Sequence, residues 1–119
     1  VFISTVAGAT TLFSCSLGDI VKTDFGKKII IDLFNECRSI AQLYKYDYED
    51  SEADIILKTI TISGSPIKAS MQRDVEKKSF TEHEQIFGDL ITKGQKYNFD
   101  CPILMSCYIR MNVYQGTFT

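Results

Sequence analysis

Apolar and polar residues alternate in the last part of the chain. The positions expected to face the interior are Cys107, Ile109, Met111 and Val113. The positions expected to face outward are Tyr108, Arg110, Asn112 and Tyr114. Because successive side chains of a β-strand point to opposite faces, this alternation predicts a half-buried antiparallel strand over 107–114.

Two further stretches of the chain predict strands. The segment 54–72 contains apolar runs on either side of Gly64 and Pro66, and neither of its faces is strongly polar, so we expect two strands that are covered on both sides. At the start of the chain, residues 1–7 and 10–16 flank Gly8 and predict a hairpin or a kinked arm. The pattern over the whole chain therefore favours a mainly β protein.

The segment 26–46 fits two different periods. As a helix it places one apolar stripe on a single face: Ile30, Leu33, Phe34, Cys37, Ile40, Ala41 and Tyr44. As a strand it shows alternation at Ile29, Ile31 and Leu33, and its three consecutive isoleucines favour β structure because they branch at Cβ. The pattern alone favours the helix, and both interpretations stay open at this point.

Composition and charge indicate one globular domain. The chain has 119 residues, of which 45% are hydrophobic and 24% charged, which predicts a single domain over 1–119. Thirteen Lys and Arg against fifteen Asp and Glu give a net charge of -2, and the basic residues are scattered, so we expect no nucleic-acid partner. No apolar run reaches the ~20 residues that cross a bilayer, so we do not expect an integral membrane protein.

The residues that usually carry chemistry form no convincing constellation. The cysteines make no C-x-x-C pair and His83 is the only histidine, so we expect no metal and no cofactor. His83 lies among carboxylates in the stretch TEHEQ, which predicts a surface position rather than a partnership with a catalytic cysteine. We expect the neighbouring Glu82 and Glu84 to be solvated. The sequence therefore predicts a protein that is not an enzyme.

The even number of cysteines bears on the redox state of the protein. Cys15, Cys37, Cys101 and Cys107 permit two disulfides, although four buried free thiols also suit their spacing. Between these alternatives we favour the disulfides.

Three short motifs follow one another in the second half of the chain: ITISGSPIK at 60–68, ITKGQKYNF at 91–99 and CPILMSCYIRMNV at 101–113. In this order they resemble the ML lipid-recognition family, which includes the Niemann-Pick type C sterol carrier and the group 2 mite allergens. The residues that match the family's positions are Gly64, Pro66, Lys93, Gly94, Tyr97, Phe99, Pro102, Ile103 and Leu104. More weakly, the segments 13–21 and 26–34 look like the family's first strands.

The resemblance implies an immunoglobulin-like two-sheet β-sandwich that binds a lipid or another hydrophobic small molecule in a cavity between the sheets. Such a carrier or recognition module would be secreted or lie in the endolysosomal lumen, and burial of the ligand's apolar surface would drive binding. The residues expected to line the cavity are Ile31, Leu33, Ile60, Ile62, Tyr97, Phe99, Ile103, Ile109, Met111 and Val113.

The helical interpretation of 26–46 leads to a different protein. It gives an α+β domain with one long helix, similar in outline to longin and roadblock modules or to a ferredoxin-like fold. Such a domain would act in the cytoplasm as an interaction or scaffold module that docks to protein partners, with its cysteines reduced.

Overall fold

The computed structural model describes residues 1–77 and 82–116, and this part of the chain is helical. Within these ranges, seven α-helices and one π-helical segment follow each other: α1 Phe2–Phe13, α2 Leu17–Val21, α3 Gly26–Leu43, α4 Asp50–Ile60, α5 Ser70–Glu76, the π-helical segment Glu84–Gly88, α6 Asp89–Gln95 and α7 Pro102–Gly116.

Both fold classes expected from the sequence are wrong. No β-strand occurs within residues 1–77 and 82–116, which removes both the β-sandwich and the sheet that the α+β alternative requires. The hairpin predicted at the start of the chain is α1, and the pair of strands predicted over 54–72 is α4 with the connection that follows it. The strand predicted over 107–114 lies inside α7.

Helix α1 runs through the centre of the fold. Its residues from Ser4 to Thr11 are all buried, and it packs against α3, α5 and α7. A helix that is enclosed on all sides must satisfy its polar side chains internally. Thr10 and Thr11 do so by donating hydrogen bonds of 2.8 Å and 2.7 Å to the carbonyl oxygens one turn earlier. The polar threonines are therefore compatible with a buried helix.

Gly8 lets three elements approach the middle of α1. A Cβ atom at this position would lie 2.9 Å from Leu33 Cδ2 on α3 and 3.1 Å from Cys107 Sγ on α7. It would also lie 3.7 Å from the ring of Phe87 in the π-helical segment. The absence of a side chain at Gly8 thus sets how closely α1 can pack against its neighbours.

Helix α3 resolves the ambiguity of the segment 26–46. Its buried residues recur at every third or fourth position: Gly26, Ile30, Leu33, Phe34, Cys37 and Ile40. Ile29 and Ile31, which the strand interpretation placed on one buried face with Leu33, are only partly buried. The helical period therefore prevails over the β preference of the three isoleucines, because it buries the larger apolar stripe.

Helix α7 buries a stripe that the alternating pattern concealed. Leu104, Cys107, Met111 and Tyr114 face the core, at the spacing of one helix face. Ile109 and Val113, which the alternation placed beside Cys107 and Met111, are 59% and 65% exposed. The strand prediction was wrong because Cys107 and Met111 satisfy the strand period and the helix period at once.

The carboxylate of Glu36 on α3 caps the first turn of α7. It accepts hydrogen bonds from the backbone N–H groups of Ile103 at 3.1 Å and Leu104 at 2.9 Å. Pro102, the first residue of α7, has no N–H group that would need a partner. Burial nevertheless raises the pKa of Glu36, although the two hydrogen bonds favour its ionised form.

The beginning of α2 is fastened to the loop that precedes α5. The N–H groups of Leu17 and Gly18 each donate a hydrogen bond of 2.9 Å, to the carbonyl oxygens of Ile67 and Ser65. A Cβ atom on Gly18 would lie 2.4 Å from the backbone nitrogen of Ser65. Because a backbone atom cannot rotate away as a side chain can, this contact requires glycine.

Within the described ranges, none of the helices is long and apolar enough to traverse a bilayer.

We predict that Gly18→Ala lowers the free energy of unfolding by about 1–3 kcal/mol, because the added methyl group pushes the two backbones apart. Urea unfolding followed by circular dichroism measures the change. Gly116→Ala is the matched control, since a Cβ atom there meets no atom within 4 Å. Equal stability of Gly18→Ala and the unmodified protein would contradict the close contact.

We predict that Glu36→Ala costs about 1 kcal/mol of stability at neutral pH, because two N–H groups of α7 lose their acceptor. Glu36→Gln, which retains one acceptor oxygen, separates capping from charge. Since the pKa of Glu36 is higher in the folded than in the unfolded protein, the folded state binds more protons between the two values. The stability of the unmodified protein relative to Glu36→Gln should therefore fall as the pH rises from about 4 towards neutrality. A rise over this range would show that the hydrogen bonds outweigh the burial.

Candidate functional site

A small polar pocket lies between α5 and the residues that precede the π-helical segment. It has a volume of about 150 Å³ and is lined by Ser70, Met71, Asp74, Glu82 and Ile86. Ser70 and Asp74 are four residues apart, so they lie on the same face of α5. The pocket thus combines one hydroxyl group and two carboxylates with two apolar side chains.

Helix α5 is held in place from both ends. At its beginning, the backbone N–H of Ala69 donates a hydrogen bond of 3.3 Å to Thr10 Oγ1 on the buried helix α1. Near its end, the hydroxyl group of Tyr114 on α7 donates a hydrogen bond of 3.3 Å to the carbonyl oxygen of Asp74. Lys68 and Glu76 form an ion pair of 2.8 Å across the helix. The core therefore determines where Ser70 and Asp74 lie.

The opposite wall of the pocket belongs to an unusual stretch of backbone. Glu82 and Ile86 flank the start of the π-helical segment, which continues directly into α6. Phe87 and Gly88 of this segment are buried, and the ring of Phe87 lies close to Gly8 of α1. Single-turn π-helical segments occur frequently at functional sites. The wall that carries Glu82 is thus anchored in the core through Phe87.

His83 is buried, contrary to the expectation of a surface histidine. Only 6% of it is exposed, and its Nε2 atom lies 2.8 Å from Oδ1 of Asn112 on α7. Its ring centroid is 5.9 Å from that of Tyr108, whose hydroxyl group donates to both carboxylate oxygens of Glu84 at 2.9 Å and 2.8 Å. The polar appearance of the stretch TEHEQ concealed a histidine that packs against α7.

The chemistry of the polar pocket follows from its lining. Two carboxylates and a hydroxyl group accept hydrogen bonds from a ligand's hydroxyl group, and a carboxylate can also take up its proton. None of the five lining residues is cationic, so an anionic group of a ligand would be repelled from Asp74 and Glu82. The carboxylates therefore suit the hydroxyl end of a small polar molecule, and the hydroxyl group of Ser70 can also donate a hydrogen bond to a carbonyl oxygen.

Two larger pockets differ in character. One, of about 400 Å³, is mainly apolar and lies where α1, α2 and α3 meet; Phe13, Phe25 and Ile29 are among its lining residues. The other, of about 380 Å³, is an open depression between α3 and the start of α7 that includes Phe99 and Ile103. Neither resembles the expected cavity between two sheets.

The ten residues expected to line a lipid cavity are scattered over the structure. Three of them lie in the core: Leu33, Ile60 and Met111. Four are exposed on the surface: Ile62, Tyr97, Ile109 and Val113. The remaining three are partly buried: Ile31, Phe99 and Ile103. Only Phe99 and Ile103 share a pocket, and none of the ten lines the polar pocket.

All four cysteines are free thiols, so the expected disulfides are absent. Cys37, Cys101 and Cys107 are buried in the helical core, and Cys15 is partly exposed. Burial raises the pKa of Cys101 to about 11 and that of Cys107 to about 12, because the thiolate is poorly solvated there. Their protonated state at neutral pH excludes a role as ready nucleophiles.

The described residues form no metal site. Among residues 1–77 and 82–116, no three His, Cys, Asp or Glu side chains come together in a way that would hold a metal ion.

The comparisons with known proteins identify this helical architecture. The description "Ketopantoate reductase PanE/ApbA C terminal" belongs to a family model that matches residues 1–115, and the chain belongs to this family. A curated relative is the uncharacterized oxidoreductase YkpB of Bacillus subtilis (strain 168), which is 29% identical over 115 residues, 97% of this chain and 38% of YkpB.

Solved structures show the same fold. The dimeric ketopantoate reductase from Staphylococcus aureus superposes with a TM-score of 0.82 at 18% identity, over 99% of this chain and 42% of that one. A D-mandelate dehydrogenase solved with NADH and anilino(oxo)acetate superposes with a TM-score of 0.81 at 19% identity, over 98% of this chain and 38% of that one. The chain thus spans about two fifths of the length of these relatives.

Family membership corrects the functional expectations drawn from the sequence. The resemblance to the ML lipid-recognition family was wrong, and with it the lipid carrier, its hydrophobic ligand and the disulfide-bonded module. The localisation stays a prediction. The scaffold alternative is not favoured either, because the family and its relative YkpB are associated with oxidoreductases. For the same reason the expectation of a protein that is not an enzyme was wrong. The single domain over 1–119 stays a prediction.

Sequence patterns do not indicate the polar pocket. Glu82 was expected to be a solvated carboxylate, and no pattern pointed to Ser70 or Asp74. Their spacing of four residues is a signal only if α5 is expected to be a helix, whereas strands were predicted over 54–72. A correct helix prediction at 70–76 would have placed both side chains on one face.

We predict that iodoacetamide modifies Cys15 first in the folded protein and that the three buried thiols react only on unfolding. At pH 8 a pKa of about 11 leaves roughly one Cys101 thiol in a thousand ionised, and burial excludes the reagent as well. Mass spectrometry after timed quenching gives the order of labelling. Under denaturing, non-reducing conditions all four thiols should react, and fewer than four would show that disulfides form. Rapid modification of Cys107 in the folded protein would contradict the packing around α1.

Proposed function

We propose that this chain is the substrate-binding part of a nicotinamide-dependent oxidoreductase that interconverts a 2-oxo acid and a 2-hydroxy acid. The observation that carries the proposal is the family match over residues 1–115, nearly the whole chain. The family is named for ketopantoate, which is a 2-oxo acid, and one structural neighbour is named for mandelate, which is a 2-hydroxy acid. Both reactions exchange a carbonyl group for a hydroxyl group next to a carboxylate.

The polar pocket supports the proposal because its groups suit the oxygen that changes during this reaction. Glu82 accepts a hydrogen bond from the substrate hydroxyl group and takes its proton when the 2-hydroxy acid is oxidised. In the direction of reduction, the same carboxyl group returns the proton to the oxygen. Ser70 donates a hydrogen bond to this oxygen and holds it in place.

Charge determines the orientation of the substrate in the pocket. Asp74 and Glu82 would repel the substrate carboxylate, so this group lies at the mouth of the pocket while the hydroxyl or carbonyl oxygen enters. Hydride transfer is the chemistry that a nicotinamide supplies when bound. The usual dinucleotide site needs a glycine-rich turn between a strand and a helix, and residues 1–77 and 82–116 contain no strand. We therefore place that site in a part of the protein outside these residues.

We predict that Glu82→Gln lowers kcat for reduction of a 2-oxo acid by about 10²–10⁴-fold, because an amide cannot exchange the proton. The measurement is the loss of NADH or NADPH absorbance with the full-length protein, ketopantoate and the 2-oxo acid that corresponds to mandelate. Glu84→Gln is the matched control: it changes the carboxylate two residues further along, which is not in the pocket lining, and retains an acceptor for Tyr108.

The outcomes distinguish the function from its location. If the unmodified protein reduces no member of a panel of 2-oxo acids with either cofactor, the proposed reaction is wrong. If it reduces one of them and Glu82→Gln does so equally well, the reaction stands and its assignment to this pocket fails. A loss of activity in Glu84→Gln as large as that in Glu82→Gln would indicate that the charge of the region matters rather than the pocket.

A further inference from the structure

The side chain next to Glu82 in the chain is tied to α7. His83 is 6% exposed, and the 2.8 Å contact of its Nε2 atom with Asn112 Oδ1 is a hydrogen bond between two elements that are 29 residues apart in the sequence. With Oδ1 of Asn112 as the acceptor, Nε2 donates this hydrogen bond. The bond therefore fixes the position of the ring.

The position of His83 gives this bond control over the neighbouring backbone. His83 is the last residue before the π-helical segment, with φ of -66° and ψ of -26°, and its Cα atom lies about 3.8 Å from that of Glu82. The ring also packs at 5.9 Å from that of Tyr108, with an angle of 50° between the two planes. Two contacts to one helix thus orient the residue that follows Glu82.

Both walls of the polar pocket are joined to α7 by hydrogen bonds. Tyr114 of α7 donates to the carbonyl oxygen of Asp74 on the α5 side, and Asn112 of α7 binds His83 on the Glu82 side. These two residues of α7 are only two positions apart. The distance across the pocket, between Asp74 and Glu82, is therefore set by a short piece of α7.

We propose that His83 is a positioning residue, which holds the carboxylate of Glu82 in the polar pocket through its hydrogen bond to Asn112. This role rests on the function proposed above. His83 does not line the pocket and takes no part in proton transfer. It acts through Glu82, because an unanchored His83 would let the backbone before the π-helical segment rotate and carry the carboxylate away from the substrate oxygen.

Two substitutions separate the hydrogen bond from the bulk of the ring. His83→Phe keeps a planar ring for the contact with Tyr108 but cannot donate to Asn112. His83→Gln has a smaller side chain but carries an N–H donor at the reach of Nε2. We expect His83→Phe to lower kcat by about tenfold to a hundredfold with little change in KM, as a small displacement of a reacting group does. We expect His83→Gln to recover most of that loss.

A double variant tests whether His83 acts through Glu82. If it does, His83→Phe has little further effect on kcat when it is combined with Glu82→Gln, because the group that it positions is already inactive. Multiplicative losses in the double variant would overturn the proposal. Equal losses in His83→Phe and His83→Gln would overturn it as well, because the ring and not the hydrogen bond would then matter.

A readout without substrate keeps the inference independent of the proposed reaction. Amide hydrogen exchange of residues 82–88 in the full-length protein should become faster in His83→Phe than in His83→Gln, while exchange in α3 stays unchanged. If no 2-oxo acid is reduced, this difference still supports the anchoring of the segment, and only the function fails. Unchanged exchange at 82–88 in His83→Phe would show that Asn112 does not hold this segment in place.

Discussion

The structure depends on the close packing of the surrounding helices against the buried helix α1. At Gly8 the side chains of Leu33, Cys107 and Phe87 converge on a backbone that has no Cβ atom to separate them. Buried threonines on the same helix donate hydrogen bonds to carbonyl oxygens one turn earlier in α1, so they need no polar partner among the surrounding apolar side chains. A helix that combines small apolar residues with internally bonded threonines can therefore serve as the centre of an apolar core.

The packing of this core determines the geometry of the candidate site. Thr10 of α1 accepts a hydrogen bond from the backbone N–H of Ala69, at the beginning of α5. Phe87, which packs near Gly8, belongs to the segment that follows Glu82. Helix α7 then joins both walls of the pocket through Tyr114 and Asn112. Polar side chains at the surface are thus placed by residues that are themselves buried. This arrangement agrees with the general rule that functional groups need a rigid support.

Sequence patterns located the apolar stripe of α3 but not the fold class. In α7, Cys107 and Met111 fit both periods. The decisive evidence for a helix is that Leu104 and Tyr114, nearly three turns apart, are buried with them on one helix face. Gly94, one of the residues that matched the ML family's motifs, lies inside α6, where its lack of a side chain admits Ile40 at 3.3 Å from the Cβ position. Short motifs of glycine, proline and aromatic residues are shared by loops of many folds, and Pro102 suited the first position of a helix equally well. The pocket was beyond prediction because its walls come from segments that only tertiary packing brings together.

The π-helical segment Glu84–Gly88 amounts to one residue inserted into a regular α-helix. Each residue of an α-helix turns the chain by about 100°, so this insertion determines the rotation of Glu82 relative to α6. Loss of one residue from the segment would turn the chain before it by about 100° relative to α6, so both the carboxylate of Glu82 and the buried ring of His83 would change direction. The segment thus fixes the directions of Glu82 and His83 together, because neither residue can turn relative to α6 without the other.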